Sequence, residues 1–110
     1  MDDEERRETW DAFGELVNMS PAALEEWLAS DESWSAGQHK DGGESTGHAS
    51  GRRIVEILRT ERSGLSDDDY QHMRKVVGYV RRHLAQRPSG DVQDTRWRHS
   101  LMNWGHDPLA

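Results

Sequence analysis

Cationic side chains converge on one stretch of this 110-residue sequence: Arg74, Lys75, Arg81, Arg82 and Arg87 stand between Tyr70 and Arg87, with no acid among them. At the helical period, Met73, Val76, Val77, Val80 and Leu84 share one face, with Tyr70 at its edge. Arg74, Lys75, Arg81 and Arg82 fall on the opposite face, where Gly78 and Ala85 are small enough to let a phosphate backbone or another helix approach. A guanidinium fork donates twice to phosphate or carboxylate, which suits such a face to an anionic partner. Arg52, Arg53, Arg96 and Arg98 extend the patch if the fold brings them alongside. A merely solvated face, or one paired with acidic helices of the same chain, is the plainer alternative.

Other constellations carry less. The segment around Ser63-Gly64-Leu65-Ser66 has the outline of a helix-turn-helix, but the second helix would present Asp67, Asp68 and Asp69 to the bases. Phosphates repel those acids, so any DNA contact falls to the middle and C-terminal half of that helix. Gly47, Gly51, Arg52 and Arg53 before a helix suggest a phosphate cradle, yet neither GxGxxG nor GxxxxGK[ST] is present. A flexible glycine-rich loop over 30–50 is the stronger reading.

Six histidines (39, 48, 72, 83, 99 and 106) include no pair at i+3 or i+4 and no HExxH, so no metal site is expected. His72, Tyr79 and His83 share one side of the basic helix and read as a border between core and surface. Ser100 beside His99 lacks the GxSxG setting of a hydrolase nucleophile, and no catalysis or cofactor is expected. Trp97, Leu101 and Trp104, at i, i+4 and i+7, either close the core or form an aromatic recognition patch.

Four helices must position these groups. Trp10, Phe13, Leu16 and Val17 give a stripe over 3–18. Ser20-Pro21 is a helix start, and Leu24, Trp27 and Leu28 are the buried residues of a second helix ending near 29. Ile54, Val55, Ile57 and Leu58 line a third over about 50–62. Ser66 with three following aspartates starts the fourth, over about 67–87, which Pro88-Ser89-Gly90 ends. The tail from Trp97 to Leu109 packs back as a short helix and turn. No strand-like alternation is present, so the fold class is all-α: a single domain over 1–110 with a Trp-rich C-terminal tail.

Composition bounds the functions. Only 17 residues are Leu, Ile, Val or Phe, the mean hydropathy is -1.03 and the net charge is -7. That sits on the disordered side of the usual line, but five tryptophans and four methionines supply further apolar area. Cysteine is absent, which excludes disulfides and thiol chemistry. No apolar run spans a membrane and the acidic N-terminus is unlike an export signal, so a cytoplasmic protein is expected. Charge is unevenly placed: residues 1–35 hold eleven acids and two bases, residues 36–110 ten acids and twelve bases.

Several strings resemble a known family. They are Val17 to Ser20 before Pro21, Gly37 through Gly51 into Arg52-Arg53-Ile54, Asp69 through Tyr79, Arg82 through Pro88, and Ser100 through Pro108. Over about residues 9–109 the chain is similar to a small bacterial and fungal family filed as a domain of unknown function, some members of which are labelled DNA-binding. The resemblance implies a nucleic-acid partner and assigns no functional residues. Two functions are therefore carried forward. The first is DNA binding through phosphates by Arg74, Lys75, Gly78, Arg81, Arg82 and Arg87, with Arg52 and Arg53 in support. The second is a protein–protein interaction module or stress-associated adaptor that sets the same face against an acidic partner.

Overall fold

Side-chain caps decide where the helices begin. The computed structural model describes residues 1–37 and 43–110, in which six helices form: α1 Asp3–Leu16, α2 Pro21–Leu28, α3 Asp31–Ala36, α4 Thr46–Leu58, α5 Asp67–Leu84 and α6 Arg96–Asn103. A short 3-10 turn over Arg62–Gly64 precedes α5. No strand occurs among the described residues. Asp2 caps α1, Ser20 α2, Ser30 α3, Ser45 α4, Ser66 α5 and Thr95 α6, each side chain accepting a first-turn N–H. Every such cap contributes about 1 kcal/mol. At α5 it is a full capping box, with the Asp69 carboxylate accepting from the Ser66 N–H at 2.9 Å.

The all-helical class stands with six helices rather than four: α6 is the short helix expected in the tail, and α3 is one the sequence does not announce. The segment read as a loop over 30–50 holds α3 and the first turn of α4. Six residues are too few to display a stripe, and Ser30 and Ser45 cap these helices without an apolar residue to mark them. Gly47 and Gly51 consequently lie inside α4 rather than in a cradle. His39 and Gly42 lie outside the described residues. α5 stops at Leu84, not near 87: the Ala85 and Gln86 N–H groups turn back to the carbonyls of Arg81 and His83, and Pro88 disfavours helical geometry at Arg87.

α1 lies along α5, α2 against α4 and α3 against α6. One hydrophobic cluster joins them, with Leu24, Ile54, Met73, Val76, Val80 and Leu101 fully enclosed and Phe13, Trp97 and Trp104 close to it. Gly51 is what lets α4 and α6 touch. A methyl there would lie 2.5 Å from the Asn103 carbonyl oxygen and 2.6 Å from Leu28 Cδ2. After α6 the chain reverses through Gly105 at φ +82°, with His106 N–H bonded to Leu101 O and Gly105 N–H to Met102 O. This is the Schellman closure, which needs the left-handed residue that glycine supplies. The turn is pinned to the α1–α2 junction. Asn18 Nδ2 donates to Asp107 O at 2.9 Å, and the Asp107 N–H donates back to Asn18 Oδ1 at 2.7 Å. No helix among the described residues is long and apolar enough to cross a membrane.

Candidate functional site

The eight residues expected to form a basic surface separate into three sets. Lys75, Arg81 and Arg82 stay exposed on α5 and pair with no carboxylate among the described residues. Gly78 sits between them with Arg82 folded over it, since a methyl there would meet the Arg82 Nη1 at 3.0 Å. Arg74, at the edge nearest α1, reaches Glu5 at 3.5 Å. Arg52 and Arg53 belong to α4 and are answered by acids, Arg52 through a forked contact with Glu44 and Arg53 at 3.5 Å from Asp69. Arg87 lies beyond the helix, with its guanidinium 5.4 Å from the Trp97 ring centre. Residues 1–35 therefore flank the basic face through α1 without covering it.

Beside that face lies a groove of about 770 Å³ between α5 and α6, closed at one end by the tail of α3 and the start of α4. Lys75, Tyr79, Arg82 and His83 line it from α5, and Arg96, Trp97, Ser100 and Trp104 from α6. No carboxylate lines it among the described residues. Arg96 serves the walls, donating to the carbonyl oxygens of Ala36 at 3.1 Å and Ser35 at 3.3 Å and so satisfying the open end of α3.

A ladder of stacked rings forms the wall. Tyr79 stacks on Trp104 at 4.2 Å and on His83 at 5.2 Å; His72 lies beyond Trp104 and Trp97 beyond His83. Reciprocal bonds lock one end: Trp97 Nε1 donates to His83 O at 2.7 Å, and His83 Nε2 donates to Trp97 O at 3.2 Å. Burial depresses the His83 pKa, and burial with the nearby Arg53 and Lys75 charges depresses that of His72. Burial also raises the Tyr79 phenol, so it stays protonated as a donor at neutral pH.

In the wall of the groove, Asn103 is buried and bonded at both of its polar side-chain atoms. Its Oδ1 accepts from Trp27 Nε1 at 2.8 Å and from Ser33 Oγ at 2.5 Å, while Nδ2 donates to Ser33 O at 3.0 Å. Ser50 and His72 approach to 2.9 Å, a nucleophile–base distance, but Ser50 is only 4% exposed and lies outside the groove. Among the described residues no three His, Cys, Asp or Glu side chains gather as metal ligands. Arg52, with His48 beside it, holds the Glu44 carboxyl down at about 2.

Sequence reasoning named Lys75 and Arg82 but not the groove they border. The alignment of His72, Tyr79 and His83 on one helix side and the tryptophan spacing of α6 were each visible; that they face one another is a property of packing. No curated protein and no solved structure matches the chain. A family model described as a protein of unknown function (DUF3140) matches residues 12–102, nearly all of this helical framework, and the chain belongs to that family.

Proposed function

We propose that this is a small non-enzymatic DNA-binding protein that grips backbone phosphates through the exposed face of α5. One observation carries the reading: Lys75, Arg81 and Arg82 stand uncovered and without carboxylate partners among the described residues of a chain of net charge -7. In an acidic protein the cheapest fate of a surface cation is an internal ion pair, as at Arg52, Arg53 and Arg74; three left unpaired side by side await an external anion. The sequence resemblance points the same way. The acidic α1 and α2 restrain affinity and orient the molecule with its basic face toward the duplex.

Titration of a labelled duplex lacking terminal phosphates, across a salt series, tests this. About three phosphate contacts give a log–log slope near -3, and Arg81→Ala with Arg82→Ala lowers it by roughly 2. Absence of binding at low salt overturns it. Docking of an acidic protein surface on the same strip is the second reading, and its mark is a partner retained from nuclease-treated lysate but released by the same two substitutions.

A further inference from the structure

We propose that the groove between α5 and α6, which shares Lys75 and Arg82 with the basic strip, is a binding site for a phosphate monoester of a nucleoside, held by those two cations at its rim and by the Trp104 indole N–H within. The proposal deepens the nucleic-acid reading above and rests on it for the nucleoside part.

Three independent features define the ligand's chemistry. The first is charge. Lys75 and Arg82 border the groove with no carboxylate to answer them among the described residues, so the enclosed field is positive. The second is an unused donor. Trp104 is 4% exposed, yet its Nε1–H meets no acceptor among the described residues. Gly47 lies against that nitrogen, and a methyl at Gly47 would come to 3.0 Å from it, so the absence of a side chain there leaves the N–H uncovered. That N–H opens onto the groove rather than being sealed in the core, so an arriving oxyanion takes the place of water on it. The third is the orientation of the rings. Tyr79 is stacked on both faces, between Trp104 and His83, so the ladder offers its edges rather than its faces. Aromatic edges are the positive part of the ring quadrupole and attract anions; no face is left for a base to stack upon.

The groove is walled by α5, by α6, and by the end of α3 and the start of α4. Its size is within the range of small-ligand pockets, roughly 300–1,000 Å³. At neutral pH a monoester carries about -1.5 to -2 charges, more than any diester phosphate, and matches two cations with neutral donors. The monoester has two sources, a free nucleotide or the 5′ end of a strand, and both present the same group.

Two-dimensional ¹H–¹⁵N spectra of the intact protein, titrated with deoxyadenosine 5′-monophosphate and separately with deoxyadenosine, test the site through the Trp104 indole N–H resonance. That resonance is expected to move saturably with the nucleotide and to stay with the nucleoside. Lys75→Gln and Arg82→Gln, both on exposed side chains, weaken the interaction at least about tenfold each, whereas Arg59→Gln, at the opposite end of α4 from the groove, removes the same charge without effect. Oligonucleotides with and without a 5′-phosphate separate the sources: a shift with the phosphorylated strand supports a strand end, and a shift confined to the mononucleotide supports a free ligand. An unmoved Trp104 resonance, or equal response to deoxyadenosine, overturns the site. Equal affinity for O-phosphoserine overturns the nucleoside assignment. Duplex binding without nucleotide binding sinks this inference alone; nucleotide binding without duplex binding sinks the phosphate-strip reading alone.

Discussion

The indole N–H of Trp27 donates to the side-chain oxygen of Asn103 at 2.8 Å, joining α2 to α6 across 76 positions of the sequence. Asn103 is 1% exposed, and the Ser33 hydroxyl and carbonyl complete its bonding. One carboxamide therefore holds three helices in register from inside the core.

Asn103→Ala removes all three partners at once, stranding the Trp27 donor and both polar atoms of Ser33. The expected loss is about 3 kcal/mol, or a fall in Tm of more than about 10 °C. Thermal unfolding followed by circular dichroism reads it. A fall of only a degree or two contradicts a bonded asparagine at this position.

Two glycines in helices should respond to the same substitution with opposite signs. Gly51→Ala pushes a methyl into the Asn103 carbonyl and Leu28, and should cost about 1–3 kcal/mol. Gly14 in α1 is exposed with open space where a methyl would stand, so Gly14→Ala should stabilise by about 0.5–1 kcal/mol through helix propensity. Urea midpoints of the two variants, measured side by side, decide whether close approach or propensity governs each site.

Acid should weaken the protein in two stages. His72 and His83 have folded pKa values below the usual 6.5, so the unfolded chain takes up their protons first. Their contribution is whole above about pH 6.5 and declines as the pH falls below it. His72 faces Ser50 and Trp104, with Arg53 and Lys75 disfavouring its proton and Asp69 favouring it. The second stage belongs to carboxylates. Glu44, moved from 4.5 to about 2 chiefly by its bond to Arg52, contributes above about 4.5 and loses that contribution toward 2. Asp107 acts in the same sense: burial pushes it up, but Arg98 and the Leu109 N–H together hold it low. Urea midpoints from about pH 7.5 to 3 should show both declines. A His72→Gln, His83→Gln variant should flatten the first and keep the second.

Glu5 sits 3.5 Å from Arg74 at the edge of the basic face. If α5 grips phosphates, Glu5→Gln releases a fourth cation. Duplex affinity at low salt should rise a few-fold, with the salt slope steeper by about 1. An unchanged slope means that Arg74 lies outside the contact.

Where periodicity and caps coincide, helices were legible: α2 and α5 begin at the residues that Ser20-Pro21 and Ser66 mark, while α1 was legible from its apolar stripe alone. α3 was not, because Trp34 and Ala36 alone make no stripe in six residues. The start of α4 was hidden by Gly47 and Gly51, residues that usually mark turns but serve here as contact points against Trp104 and Leu28. Lys75 and Arg82 were named from the helical wheel alone. The groove was beyond reach, since its rings come from 72–83 and 97–104 and only tertiary packing stacks them on one another.

The reciprocal bonds between Asn18 and Asp107, together with Met19 N–H to Gly105 O and the His106 contact with Leu16 O, fasten the first two helices to residues almost 90 positions later. A growing polypeptide emerges amino end first, at about 5–20 residues per second, so Val17 waits roughly 5–20 s for the Gly105 turn that packs on it. Throughout that interval the nascent segment must stay in solution with its apolar stripe bare. Eleven acids among its first 35 residues give it the self-repulsion to do so.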